Sequence, residues 1–111
     1  MHSHPDPGRL GTYVRPAQFP KMRPHLDEYD GIVLGHTYIQ HEATIDGRLI
    51  VNLGSVSQPQ DCDERAAYAV IGTAAGEVEL RRVEYDINRV ISRVEECGLP
   101  TQTGTRLLDG S

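Results

Sequence analysis

Apolar residues in this chain come in short blocks whose spacing changes from one block to the next, with glycine and proline marking the breaks. The first block is Ile32-Val33-Leu34, a branched run bounded by Gly31 and Gly35. A continuous apolar run of this length, stopped by glycine at both ends, predicts a short strand buried on both faces. The next two runs, residues 38–45 and Arg48–Asn52, flank Asp46-Gly47. Asp-Gly between β-rich segments predicts a hairpin with a type I′ turn, because both central positions need positive φ. Such a hairpin returns Asn52-Leu53-Gly54-Ser55 to the end of the first strand.

A second hairpin is predicted from Ala66–Gly72 and residues 77–85, turning at Thr73-Ala74-Ala75-Gly76. Val78 and Leu80, with Val83 at the end, are assigned to its inner face; Glu77, Glu79 and Arg81 fall on a wet outer face. The period then lengthens. Asp86 is a good N-cap, Ile87, Val90, Ile91 and Val94 recur at helical spacing, and Gly98 followed by Pro100 makes a stop. This stripe is expected to pack on the sheet. Before the first strand, the prolines at 5, 7, 16, 20 and 24 leave no room for a long helix or strand. Residues 1–29 are therefore assigned as an irregular proline-rich segment with a His-x-His-Pro turn. Residues 30–108 form the domain, with Arg106-Leu107-Leu108 as a last docked turn, and 109–111 are a tail. The class is α/β (α+β), mostly hairpins with one C-terminal helix.

Composition narrows the function classes. With 111 residues the chain makes one domain at most. Its 11 Lys plus Arg against 16 Asp plus Glu give a net charge of −5. That balance argues against sequence-blind nucleic-acid binding, which needs a basic stripe to displace counterions. No apolar stretch is long enough to cross a bilayer, and the N-terminus lacks a signal-peptide pattern. Cys62 and Cys97 are far apart and outside any CxxC spacing, so no disulfide framework is expected and a cytoplasmic location is the default.

Histidine carries the candidate chemistry. His36 follows the first strand at its C-terminal edge, where open α/β sheets place ligands. A lone histidine there is more often structural than a ligand. His2 and His4, two apart, converge on one face if the backbone is extended, or form a frayed pair with weak affinity for divalent cations. Asn52 and Ser55 either bond a phosphate oxygen or cap their own turn. His41 is expected to face solvent. Cys62 has no histidine base near it in sequence and is assigned no nucleophilic role.

The ordered series His2-Ser3-His4-Pro5, Gly35-His36-Thr37-Tyr38, Asn52-Leu53-Gly54-Ser55-Val56 and Gln58-Pro59-Gln60-Asp61, followed by a hairpin and a helix, resembles the C-terminal half of the calcineurin-like metallophosphoesterases. The likeness is to their small bacterial and archaeal phosphodiesterase branch and runs from His2 to about Leu108. It implies the C-terminal part of an α-β-β-α sandwich. The implied activity is hydrolysis of phosphomonoesters or phosphodiesters on two divalent metals, which are Mn, Zn, Fe or Ni in the family. It places His2 and His36 on metal-ligand positions, with His4 as a slipped alternative to His2. Tyr38 stands where the family has a second histidine. Asn52, Gly54 and Ser55 fall on the turn that floors the phosphate site. Leu53 replaces a proline, Gln60 an arginine and Cys62 a glycine.

The family's Asp-x-His, Gly-Asp-x-x-Asp and Gly-Asn-His motifs do not occur in this sequence. A dinuclear centre needs carboxylates to bridge and to offset the charge of two dications. The expectation is thus a chain inactive alone, with at most one weak metal site. It either works with a separate N-terminal half or is a non-catalytic remnant serving as a binding or assembly module. One helix cannot cover a strand apolar on both sides, so self-association, pairing or loose packing is expected. The other reading folds residues 5–29 back as a lid over that face.

Overall fold

A computed structural model describes residues 1–111. Strands β1 (Gly31–Leu34), β2 (His41–Ile45) and β3 (Arg48–Asn52) form a sheet in the order β1-β3-β2, and β4 (Ala66–Gly72) and β5 (Glu77–Val83) pair separately. Helices α1 (Ile87–Glu96) and α2 (Gln102–Thr105) follow. The Asp46-Gly47 turn has φ of 50° and 75°, the left-handed pair that a type I′ hairpin requires. β3 returns antiparallel to β2 and parallel to β1, bringing Asn52 level with Leu34. The hairpin's first strand starts at His41 rather than at residue 38. Tyr38 is left-handed (φ 60°) and the Gln40 N–H donates to the Asp61 carboxylate, so this stretch leaves the ladder.

The proline-rich segment is more regular than its composition predicts. Pro16–Leu26 winds as successive 3-10 turns with Pro20 and Pro24 inside it. Proline's fixed φ suits this geometry, and short i→i+3 turns survive the missing N–H groups better than a continuous α-helix does. Arg15 and Gln18 open the run reciprocally: the Gln18 N–H donates to the Arg15 carbonyl, and the Arg15 N–H to Gln18 Oε1. Phe19, Met22 and Leu26 then point into the sheet and join Val14, Ile32, Leu34 and Ile50 in the core. Arg23 bridges Asp27 and Asp46, pinning the run to the hairpin turn.

This cover lies on one side only, which corrects the reading of β1 as buried on both faces. Ile32 and Leu34 are buried while Val33 is 36% exposed. Val33 and Leu49 open instead into a cleft of about 760 Å³ shared with Ile71 and the β4–β5 turn. His41, expected in solvent, is half-buried with its ring edge on Phe19 at 5.0 Å.

The second hairpin forms with the expected turn, but its phase differs at the end. Strict alternation carries Val78, Leu80 and Arg82 inward and leaves Val83 51% exposed. Helix α1 has the expected caps: the Arg89 N–H donates to Asp86 Oδ1, and Gly98 (φ 70°) closes a Schellman turn through Leu99 N–H to the Val94 carbonyl. It does not pack on the sheet, however, and none of its residues is buried. Its close neighbour is α2, where a Cβ on Gly104 would lie 3.1 Å from the Ile91 Cα. Val90, Val94, Cys97 and Leu99 line an open groove of about 510 Å³. Leu107 and Gly110 are buried at the end of the chain, where the Cys62 N–H donates to the Gly110 carbonyl. No helix is long and apolar enough to cross a membrane.

The result is an extended body of 48 × 31 × 20 Å. Its radius of gyration is 15.9 Å, against roughly 13 Å for a closed domain of this length. The 12.3 kDa chain exposes 7036 Å², where roughly 6,100 Å² is usual for a monomer of that mass. The excess is comparable to one partner's share of a standard protein interface, about 800 Å².

Candidate metal and phosphate site

The parallel pair β1–β3 ends in two loops, Gly35–Tyr38 and Leu53–Ser55, and the N-terminal turn crosses beside them. The Gly35 N–H donates to the His2 carbonyl (3.0 Å), and the Met1 ammonium donates to the Val33 carbonyl (2.7 Å). The first residues thus run along the free edge of β1. This brings the His2 and His36 rings to a centroid distance of 5.0 Å in an edge-to-face arrangement. His36 is held in a left-handed conformation (φ 70°), uncommon for non-glycine residues though histidine, like asparagine and aspartate, adopts it more readily than most. Its Nε2 lies 3.0 Å from the Gly11 carbonyl, which can only accept, so Nε2 is the donor in this contact. Gly11 is itself fixed, its N–H donating to the buried Ser3 hydroxyl at 2.9 Å.

His4 goes elsewhere. Its Nδ1 accepts from the Asp6 N–H (3.0 Å), its ring stands edge-on to His25 at 5.6 Å, and its buried Nε2 has no hydrogen-bond partner. Burial, with Arg9 and His25 nearby, lowers its pKa, so the ring stays neutral. With the lone pair occupied, His4 has no free ligand atom in this arrangement. Tyr38, the other position of interest, follows His36 by two residues; its carbonyl accepts from the Gln60 N–H.

Asn52 is spent on the architecture. Only 1% exposed, it donates through Nδ2 to the Gly35 carbonyl (2.8 Å) and Thr37 Oγ1 (2.6 Å), and its Oδ1 accepts from the Gly54 N–H (3.0 Å). Gly54 is left-handed (φ 81°), and a Cβ there would meet the Ala67 Cβ at 2.7 Å. Ser55 Oγ accepts from the Gln58 N–H. In this geometry Asn52, Gly54 and Ser55 hold the turn rather than present free groups.

Sequence reasoning missed the bond between this end and the second hairpin. Arg82 donates to Asp61 with two nitrogens and to Gln40 Oε1 (2.9 Å), and the Gln40 side chain donates to the Tyr68 carbonyl (2.9 Å). Strict alternation of β5, with Val83 kept outside, points to Arg82. The neighbouring loop holds a left-handed residue at Cys62 (φ 62°). Asp63 accepts from the Arg65 guanidinium and backbone N–H, which together hold its carboxyl well below the usual range.

The donor set can be weighed against a metal centre. His2 and His36 supply adjacent imidazoles, but no group of three or more His, Cys, Asp or Glu side chains converges anywhere in the chain. A dinuclear centre does not fit the residues of this chain alone.

Fold and site together define the class: the chain has the α/β architecture of a metallophosphoesterase half and resembles the C-terminal half of that family. The crystal structure of a metallophosphoesterase from Sphaerobacter thermophilus superposes with a TM-score of 0.79 at 29% identity, covering 89% of this chain and 50% of that one. The hypothetical protein PH1004 from Pyrococcus horikoshii shares the fold at a TM-score of 0.74 and 19% identity, over 88% of this chain and 39% of its own. In sequence, the chain is 30% identical over 125 aligned positions to the uncharacterized protein MJ0912 of Methanocaldococcus jannaschii, covering 98% of this chain and 50% of that protein. The chain thus spans about half the length of the relatives it matches. No protein-family profile matches it.

Proposed function

We propose that this chain is the histidine-bearing half of a divalent-metal phosphoesterase, hydrolysing phosphomonoesters or phosphodiesters only when joined to a complementary half that brings the carboxylates. The observation that carries this reading is the His2–His36 pair at the end of β1, in a chain that superposes on half of a metallophosphoesterase. The excess surface and the one-sided sheet support the need for a partner. The metals themselves would be Mn, Zn, Fe or Ni.

The test is reconstitution. The isolated chain with Mn²⁺ is expected to leave bis-p-nitrophenyl phosphate untouched above a metal-only blank, and Tyr38→His alone does not rescue it. Mixed with the unmatched half of the Sphaerobacter enzyme, it is expected to form a complex on sedimentation and to turn over, with activity lost in His36→Ala. Calorimetry showing two tight metal sites in the isolated chain would overturn the division of ligands. A complex without turnover would favour the second reading, a non-catalytic binding or assembly module. That reading draws on Cys62, which keeps a left-handed backbone although its chemistry has changed from the family's glycine.

A further inference from the structure

The histidine pair is one end of a longer series of ring contacts in which Tyr13 and His36 are the inner members. The Tyr13 ring lies parallel to His36, with centroids 4.5 Å apart and 15° between planes. The Arg15 guanidinium sits over Tyr13, 5.6 Å from its centroid. The backbone explains the order. Around Val14 the chain is extended, with Val14 4% exposed in the core, so Tyr13 and Arg15 both project from the opposite side. Pro16 and the Arg15–Gln18 reciprocal bonds fix where the extended stretch stops. Arg15 takes part in none of the chain's ion pairs. In an acidic chain, this leaves an uncompensated guanidinium held over the tyrosine that stacks on His36.

We propose that Arg15, supported on Tyr13, is the oxyanion-binding residue of this site and takes the non-bridging oxygens of a phosphoryl group presented to His2 and His36. A guanidinium presents a planar fork that matches paired phosphate oxygens, which a lysine ammonium cannot reproduce. Stacking on an aromatic face keeps that fork oriented without a carboxylate to neutralise it. Tyr13 is a positioning residue: its ring spans the gap between the cation and His36. The inference rests on the phosphoester reading for its ligand class, and its test needs neither metal nor turnover.

Inorganic phosphate is added stepwise at fixed ionic strength to the isotope-labelled full chain without metal, and backbone and imidazole resonances are followed by NMR. Saturable shifts are expected at Tyr13, Arg15, His36 and the His2 and His36 rings, with millimolar affinity. Arg15→Gln is expected to weaken binding about tenfold. Arg15→Lys and Tyr13→Ala should fall between, and Arg9→Gln, which removes another exposed cation, should match wild type. Both Arg15 and Tyr13 are exposed, so the variants keep the fold, and the unshifted remainder of each spectrum verifies it. Affinity unchanged in Arg15→Gln, or lost equally in Arg9→Gln, overturns the proposal whatever the hydrolysis assay gives. Arg15-dependent phosphate binding together with a failed reconstitution leaves this inference standing and removes the hydrolase reading.

Discussion

The three-stranded sheet and helix α1 are built from equally clear amphipathic patterns, yet only the sheet is closed. Phe19, Leu26 and Ile50 are wholly buried between the sheet and its 3-10 cover, and Arg48 ties Tyr29 to β3 by donating to its carbonyl (3.1 Å). Helix α1 has good caps at both ends and an apolar stripe, but only the short α2 meets it, at Ile91, and no residue of the helix is buried. Local signals thus suffice to make a helix, while burial, worth about 1.5–3 kcal/mol for a full Val or Leu side chain, must come from another surface. The closed region is the one that carries His2 and His36. The open region is the one left with an uncovered apolar surface.

The comparison breaks most sharply under truncation. Phe19→Ala is expected to cost about 3–5 kcal/mol, because it empties a fully enclosed site against Ile32, Leu34 and Ile50. Val94→Ala, on the open stripe, should cost under about 1 kcal/mol in the isolated chain. Denaturant titration of both variants checks this. Equal losses would mean that α1 is already covered in solution, and the open region would have to be reassigned.

Much of the closed region was legible in the sequence, for local reasons. Asp46-Gly47 dictates its turn by backbone sterics, and Asp86 and Gly98 bound the helix in the same way. The strand at Ile32-Val33-Leu34 was located correctly, but its second buried face was not, because a run of apolar residues states a preference for cover without saying that cover exists. The order in Pro16–Leu26 was hidden for the opposite reason: proline forbids the α-helix that pattern reading looks for, and leaves the 3-10 turns it permits unsignalled. At the candidate site, the motif residues His2, His36, Asn52 and Ser55 were found as motifs. The Arg15–Tyr13–His36 stack and the Arg82–Asp61–Gln40 bond join positions far apart in sequence, and no spacing rule reaches them.

Cutting the connection between the two regions gives the next effect. Arg82 and Asp61 are each only 14% exposed, so Arg82→Met strands a carboxylate among partly buried groups and is expected to cost about 3 kcal/mol. Adding Asp61→Asn should return part of that loss, since the amide carbonyl still accepts from the Gln40 N–H. A double-mutant cycle in denaturant measures the coupling. A cycle that closes with no interaction energy would show the ion pair to add nothing beyond the Gln40 hydrogen bonds and the packing that also hold the hairpin.

A smaller effect of opposite sign is expected at Cys62. Its φ of 62° places a side chain in the left-handed region, which costs an L-residue about 1 kcal/mol. Glycine removes that cost, and the thiol is free and exposed, so no packing is lost. Cys62→Gly should therefore raise stability by about 1 kcal/mol, less whatever the unfolded chain gains in freedom. Asp46 (φ 50°) supplies the contrast, because aspartate tolerates this region and Asp46→Gly would also lose the Arg23 ion pair. A stabilised Cys62→Gly beside a destabilised Asp46→Gly is the expected pair of melts; the reverse would remove backbone strain as the explanation.

The mildest effect is a slope in acid from the same loop. Arg65 holds the Asp63 carboxyl well below the ordinary carboxylate range, so Asp63 binds a proton more readily in the unfolded chain than in the folded one. Its contribution is complete above about pH 4, the unfolded value, and is lost as pH falls from there towards the depressed folded value. Side-chain exposures of 27% for Asp63 and 47% for Arg65 let solvent screen the pair, which limits the effect to a few tenths of a kcal/mol, roughly that of a surface ion pair. Asp63→Asn should flatten the melting-temperature profile between about pH 4 and pH 2 without abolishing it, because Asp27, Glu79 and Asp109 are also held low by their own partners. High salt should flatten the wild-type profile in the same sense. The location gives the measurement its use. Gly110 lies so close over the Asp63 backbone that a Cβ there would fall 2.6 Å from the Asp63 nitrogen, so protonating Asp63 loosens the loop that carries Cys62 and docks the chain's end. Protection of the Cys62 and Ser111 amides from exchange should fall along with the melting temperature, while the amides of β1 and β3 keep theirs. Uniform loss across both regions would mean that the loop and the closed sheet open as one unit, and the contrast between them would not extend to acid.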